Sequence, residues 1–182
     1  MAQMLDFGPY QLIRKIGAGG MAEVFLATPQ GERRMVALKR MLRKYMQQED
    51  IVALFVQESE LALRLEHPNI VESFDVGAVG SRRYICMEYL AGVDLSLLMR
   101  YTALRGRGGL PPRIAVALAA AVCRGLHYAH ELRDERGRLL NIVNRDIDPS
   151  NVRVTFDGRV KLIDFGVARA ATGQRTEIGQ VR

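Results

Sequence analysis

Asn144-Arg145-Asp146-Ile147-Asp148-Pro149-Ser150-Asn151, followed after two short apolar runs and the turn Asp157-Gly158 by Asp164-Phe165-Gly166, is the stretch from which the rest of the chain is read. Residues 144–164 contain an Asp able to orient a hydroxyl group (Asp146), an Asn able to bind a metal (Asn151) and a second Asp with metal-ligand chemistry (Asp164). A solvated acidic loop accounts for Asp134 or Asp157. It does not account for this order of groups at this spacing.

Working toward the N-terminus, Val36-Ala37-Leu38-Lys39 puts a lysine at the end of an apolar strand. A lysine there is usually just solvated. Glu58, inside a predicted helix, is the partner that could hold its ammonium against two phosphates, and the bland alternative is a surface ion pair of little energetic value. Earlier still, Gly17-Ala18-Gly19-Gly20-Met21-Ala22 lies between two predicted strands. Without side chains, such a hairpin lets backbone N–H groups approach phosphate oxygens, although glycines serve a tight turn equally well. A dinucleotide-binding loop needs its glycines to open a helix, whereas Val24-Phe25-Leu26 continues as strand.

Residues 10 to 40 alternate apolar and polar positions and predict three antiparallel strands. Glu49 to Leu65 has helical spacing, stopped by His67-Pro68. Ile70 to Val76 and Tyr84 to Leu90, separated by Gly77 to Ser81, predict a fourth and fifth strand. Beyond Gly92 the pattern turns helical, with Asp94 as N-cap of a short helix and Pro111-Pro112 opening a long one that reaches about Arg133. Strands and helices in separate blocks predict an α+β, two-lobed arrangement with Glu88 to Gly92 as connector and a ligand cleft between the lobes.

The 182 residues, 48% hydrophobic and 25% charged, have the composition of a soluble globular protein of one large or two small domains. The longest apolar run, Ile114 to Val122, falls well short of the roughly 20 residues of a membrane span. Met1 to Asp6 lacks the basic start and apolar core of a secretory signal, so a cytoplasmic location is expected. Cys86 and Cys123 have neither metal-ligand spacing nor partners for a disulfide framework and are read as reduced and structural. The net charge of +6 is scattered and interleaved with acids, as in Asp134-Glu135-Arg136, so no nucleic-acid partner is expected; an excess over a phosphate-bearing substrate is.

Taken in order, the glycine loop, Val36 to Lys39, Glu58, the catalytic loop and Asp164-Phe165-Gly166 resemble the motif set of the eukaryotic-like protein kinases over nearly the whole chain. Gly17 to Val24, His67 to Val71 and Gly125 to His130 resemble the serine/threonine kinases of bacteria. The resemblance implies a protein-kinase-like fold with a five-stranded antiparallel N-lobe (9–88) and a helical C-lobe (89–182) that is truncated inside the activation segment. It implies transfer of the γ-phosphate of Mg-ATP to serine or threonine hydroxyls of proteins, with ATP and Mg2+ as cofactors and self-association for autophosphorylation. Ile16, Gly17, Ala18, Gly19, Gly20, Met21, Ala22, Glu23 and Val24 then form the lid over the triphosphate, and Lys39, held by Glu58, binds the α- and β-phosphates. Val24 and Ala37 cover the adenine, Met87 stands at the back of the pocket, the backbone of Glu88 to Leu90 meets the adenine edge, and Asp94 reaches the ribose. Asn151 and Asp164 hold magnesium, and Asp146 orients the attacking hydroxyl. Arg145 pairs with a phosphorylated residue of the activation segment, for which Thr172 and Thr176 are the candidates.

The sequence departs from that family pattern at Ala22, Asn144, Asp148 and Arg153. Ala22 replaces a glycine at little cost, and Asn144 replaces a histidine, losing an aromatic ring that packs under Phe165 although an amide can still hydrogen-bond nearby carbonyls. Asp148 stands where a lysine usually touches the transferred phosphate, which predicts a slow enzyme accelerated by Asp148→Lys. Arg153 takes the place of an apolar residue under the adenine, its stem packing there and its guanidinium turned outward. The alternative to an enzyme is a pseudokinase that uses the fold as a binding module. A weaker third reading, a small-molecule phosphotransferase, lacks this Arg-Asp-x-x-Pro-x-Asn loop.

Overall fold

The computed structural model describes residues 5–106 and 109–164. Strands β1 (Leu5–Phe7), β2 (Tyr10–Ala18), β3 (Ala22–Pro29), β4 (Val36–Met41), β5 (Ser73–Val79) and β6 (Arg82–Glu88) form an antiparallel sheet in the order β1-β2-β3-β4-β6-β5. Helix α1 (Glu49–Ala62) connects β4 to β5. The sheet thus has six strands where the sequence predicts five. The extra one, β1, is too short to show an alternating pattern and is held by Phe7, which is buried edge-on against Tyr84 with ring centroids 5.8 Å apart.

Alternation along β4 explains why the site forms on one face of this sheet. Val36 and Leu38 join Phe7, Tyr10, Leu12 and Cys86 on one side, while Ala37 and Met41 join Phe55, Ile85, Met87 and Leu90 on the other. With a side-chain period of two, Lys39 falls between Ala37 and Met41 on the face that α1 covers. Glu58 follows the fully buried Phe55 by three positions and so shares the inward stripe of α1.

The second lobe contains β7 (Gly92–Asp94), α2 (Leu95–Leu104), α3 (Pro112–Glu131), β8 (Val152–Thr155) and β9 (Val160–Leu162), the strands forming a small sheet in the order β7-β8-β9. Asp94 caps α2 as expected, accepting the Leu97 amide at 2.8 Å, and Pro112 opens α3. At Gly92 the strands come so close that a Cβ would lie 2.1 Å from the Val154 carbonyl oxygen, so only glycine fits. That contact clamps the connector onto β8.

The predicted fourth strand starts three residues late. Ile70 is 1% exposed and packs with Leu65, Ala129, Ile142, Val152 and Leu162 in the second lobe's core, while the Val71 amide donates to the Leu162 carbonyl. Burial there outweighs continuation of the sheet. Helix α3 buries Leu118, Ala121, Gly125 and Ala129, spaced by three and four, against β9. Ile114 and Val116 stay exposed while Leu118 and Ala121 are buried, so the apolar run Ile114 to Val122 is divided between core and surface. No helix among the described residues is long and apolar enough to cross a membrane. Phe165, Gly166, Thr172 and Thr176 lie outside the described residues.

Candidate active site

Lys39 Nζ donates to Glu58 Oε1 at 2.5 Å and lies 3.3 and 3.2 Å from the two Asp164 oxygens. The Lys39 and Glu58 side chains are 12% and 7% exposed, so this is not the weak surface pair weighed against it. Burial works against the Lys39 ammonium, but Asp164 and Glu58 outweigh it and raise its pKa above the usual lysine range. Burial raises the Glu58 carboxyl, Lys39 pulls it down, Asp164 pushes it up again, and the net direction is upward. The two directions agree physically, because a single cation is shared by two carboxylates: the lysine keeps its proton firmly and the carboxylates compete for the charge.

Behind Lys39 lies a small cavity of about 30 Å3, lined by Glu58, Val71, Met87, Ile163 and Asp164 among others. A larger groove of about 690 Å3 runs along the outer side of α1, past Met46, Val52, Val56, Glu60 and Arg83, and contains none of the candidate site residues. Its size has no bearing on the chemistry.

In the 144–151 loop, Asn151 Nδ2 donates to both the carbonyl and the Oδ2 of Asp146, each at 3.0 Å. Asn144 Nδ2 donates to the Asp164 carbonyl at 3.1 Å, and its Oδ1 accepts the Asp146 amide at 2.9 Å. The Ile163 amide donates to the Asn151 carbonyl at 3.0 Å. Asn144 therefore ties the segments carrying Asp146 and Asp164 into one rigid unit. Asn144→Ala is expected to lower the phosphoryl-transfer rate by about tenfold, the worth of one to two hydrogen bonds, with ATP affinity unchanged. Single-turnover rates set against nucleotide binding check this.

Asp148 differs from its expected role. Its Oδ1 accepts the Ser150 amide at 2.8 Å and the Ser150 hydroxyl at 2.6 Å, capping the 3-10 turn Pro149–Asn151. A carboxylate engaged with its own loop organises Asn151 rather than opposing a phosphate. The expected outcome for Asp148→Lys is accordingly reversed: with the cap lost, worth about 1 kcal/mol, transfer slows instead of accelerating. A faster lysine variant in single turnover would restore the charge-repulsion reading.

In the hairpin between β2 and β3, the Gly19 amide donates to the Ala22 carbonyl at 2.8 Å. Gly17, Gly19 and Gly20 all have ordinary negative-side φ, and a Cβ at any of them would meet nothing closer than 3.7 Å. The turn therefore does not need these glycines, which favours the phosphate-approach reading. Ile16, Met21, Ala22, Val24, Ala37, Met87 and Leu90 belong to one apolar cluster between sheet and connector. Glu23, by contrast, is taken up by Arg40 at 2.7 Å and Lys15 at 3.3 Å. It holds the hairpin to β4. Arg145 is exposed, and its candidate partners lie outside the described residues.

The sequence reading missed Lys161 and Arg159. Lys161, 7% exposed, donates to the Ile70 carbonyl at 3.1 Å and bonds the Glu88 carboxylate, which also accepts the Glu72 amide at 3.0 Å and lies 3.4 Å from Arg159. This cluster joins the end of β6 to β9. A lysine between Val160 and Leu162 reads as the solvent side of a half-buried strand, and only the tertiary approach of Glu88 reveals its burial. Arg153 also departs from expectation: its Nε donates to the Leu90 carbonyl at 3.3 Å instead of turning outward.

With this geometry in place, comparison with known proteins defines the class. The protein kinase domain family matches residues 10–181, and the chain belongs to that family. It is 46% identical over 167 residues to tyrosine-protein kinase MasK of Myxococcus xanthus, covering 90% of this chain and 26% of MasK. It is 34% identical over 163 residues to serine/threonine-protein kinase PrkC of Bacillus subtilis, covering 90% of this chain and 23% of PrkC. The crystal structure of the Mycobacterium tuberculosis PknI kinase domain superimposes with a TM-score of 0.72 at 32% identity, covering 92% of this chain and 62% of that one. The chain thus spans about a quarter of the length of these two curated relatives.

Proposed function

We propose that the protein containing this chain transfers the γ-phosphate of Mg-ATP to serine or threonine hydroxyls of proteins, with residues 9–88 as nucleotide lobe and 89–182 in the acceptor lobe. The observation that carries this reading is the convergence of Lys39, Glu58 and Asp164 on one side with the Asp146–Asn151 pair on the other. A binding module has no need of every member. Lys39, held by Glu58, supplies a fixed positive charge for the α- and β-phosphates. Asn151 and Asp164 offer an amide oxygen and a carboxylate, hard donors that suit Mg2+ together with phosphate oxygens, and the bound metal would neutralise phosphate charge. The hydroxyl oxygen forms a bond to the γ-phosphorus as the bond to the β-phosphate oxygen breaks, the hydroxyl proton passes toward Asp146, and ADP leaves. Asn151 keeps the Asp146 carboxylate aimed, so catalysis is positioning plus charge neutralisation.

A cytoplasmic setting, phosphorylation between copies of the protein, and pairing of Arg145 with phosphate on Thr172 or Thr176 complete the proposal. The tyrosine in the name of MasK supports a second reading in which the acceptor is a phenol. Phosphoamino-acid analysis of substrate labelled by the intact protein separates them: phosphoserine and phosphothreonine are expected, and phosphotyrosine alone would overturn the aliphatic-hydroxyl reading.

A further inference from the structure

We propose that Arg153 sets the base selectivity of the nucleotide site by occupying the Leu90 carbonyl of the connector. The inference rests on the reading above that the backbone of 88–90 meets the adenine edge. In the β7–β8 pair Arg153 stands opposite Asp94, next to the Gly92 clamp, and its half-buried side chain reaches the Leu90 oxygen through Nε. Burial would raise the Asp94 carboxyl, yet hydrogen bonds from Ser96 and the Leu97 amide, with the Arg153 charge, hold it below the usual range. The guanidinium thus donates to the Leu90 carbonyl, while its charge acts on Asp94 from a distance.

The neighbouring backbone groups are also used by the protein: the Glu88 amide donates to the Glu72 carbonyl, and the Ala91 carbonyl accepts the Phe156 amide, both at 2.9 Å. An extended segment that reads a purine edge offers carbonyl, amide and carbonyl in turn. Adenine needs only the first two, through its 6-amino group and N1. A purine with a 2-amino group adds a donor directed at the third, where Arg153 already supplies a cationic donor. Two donors facing one oxygen disfavour the 2-amino purine, while adenine, with a bare C2–H, is unaffected.

The test is equilibrium binding of ATP and of 2,6-diaminopurine riboside triphosphate to the intact protein, to Arg153→Leu, and to Arg153→Met, which keeps the length of the side-chain stem. Freeing the Leu90 carbonyl is expected to shift the affinity ratio by about five- to tenfold toward the diaminopurine nucleotide in both variants. A merely structural role for Arg153 would change both affinities together and leave the ratio where it was. An unmoved ratio, or a wild-type protein that already prefers the diaminopurine nucleotide about tenfold, overturns the inference while leaving the ATP site standing. Failure of the wild type to bind either nucleotide removes the adenine-site reading and this inference with it.

Discussion

Lys39→Met is expected to reduce phosphoryl transfer by the intact protein by at least about a hundredfold, the scale on which removing one preorganised charge partner acts. Methionine fills the same space but has no charge, so the phosphates lose their cation. Glu58 and Asp164, now without the ammonium between them, repel each other and draw protons or solvent into the cavity behind β4. Incorporation of label from γ-labelled ATP measures the effect. Labelling at the wild-type rate would remove Lys39 from the site.

The second large effect concerns stability. In Lys161→Met the Glu88 carboxylate, 14% exposed, loses its closest cation and keeps only the half-exposed Arg159. Breaking one partner out of a buried pair costs about 3–5 kcal/mol, and Arg159 together with access to solvent trims that to about 2–4 kcal/mol here. The unfolding midpoint should fall accordingly. Adding Glu88→Gln to Lys161→Met should recover most of the loss, because the uncompensated charge is then gone. A Lys161→Met variant that unfolds with the wild type would mean that this link between β6 and β9 contributes nothing to stability.

How far the sequence carries can be judged from these same residues. Asp146, Asn151 and Asp164 lie outside the regular strands and α-helices and were legible from their order and spacing alone, whereas Lys39 and Glu58 were legible because each is anchored to a periodic element, Lys39 to the alternation of β4 and Glu58 to the inward stripe of α1. The two lobes, the Asp94 cap and the start of α3 at Pro112 were legible for the same reason. What the sequence hid depends on tertiary approach. Lys161 alternates as a surface residue and is buried only because Glu88 arrives from the other lobe. Asp148 shows a charge but not its direction, which Ser150 sets. Ile70 looks like sheet yet is drawn into the core beneath α3. Arg153 shows a cation where an apolar residue was expected, and only its register opposite Asp94 reveals the contact with Leu90.

The most direct test of the account is a comparison of the intact protein with its Asp146→Asn variant, measuring ATP affinity and the single-turnover rate of phosphate transfer to a protein substrate. The substitution keeps the shape of the side chain and removes the proton acceptor. The account predicts equal ATP affinity, phosphoserine or phosphothreonine formed by the wild type, and at least about a hundredfold slower transfer by the variant. Transfer by Asp146→Asn at the wild-type rate, or no transfer by the wild-type protein with ATP and magnesium bound, would contradict it.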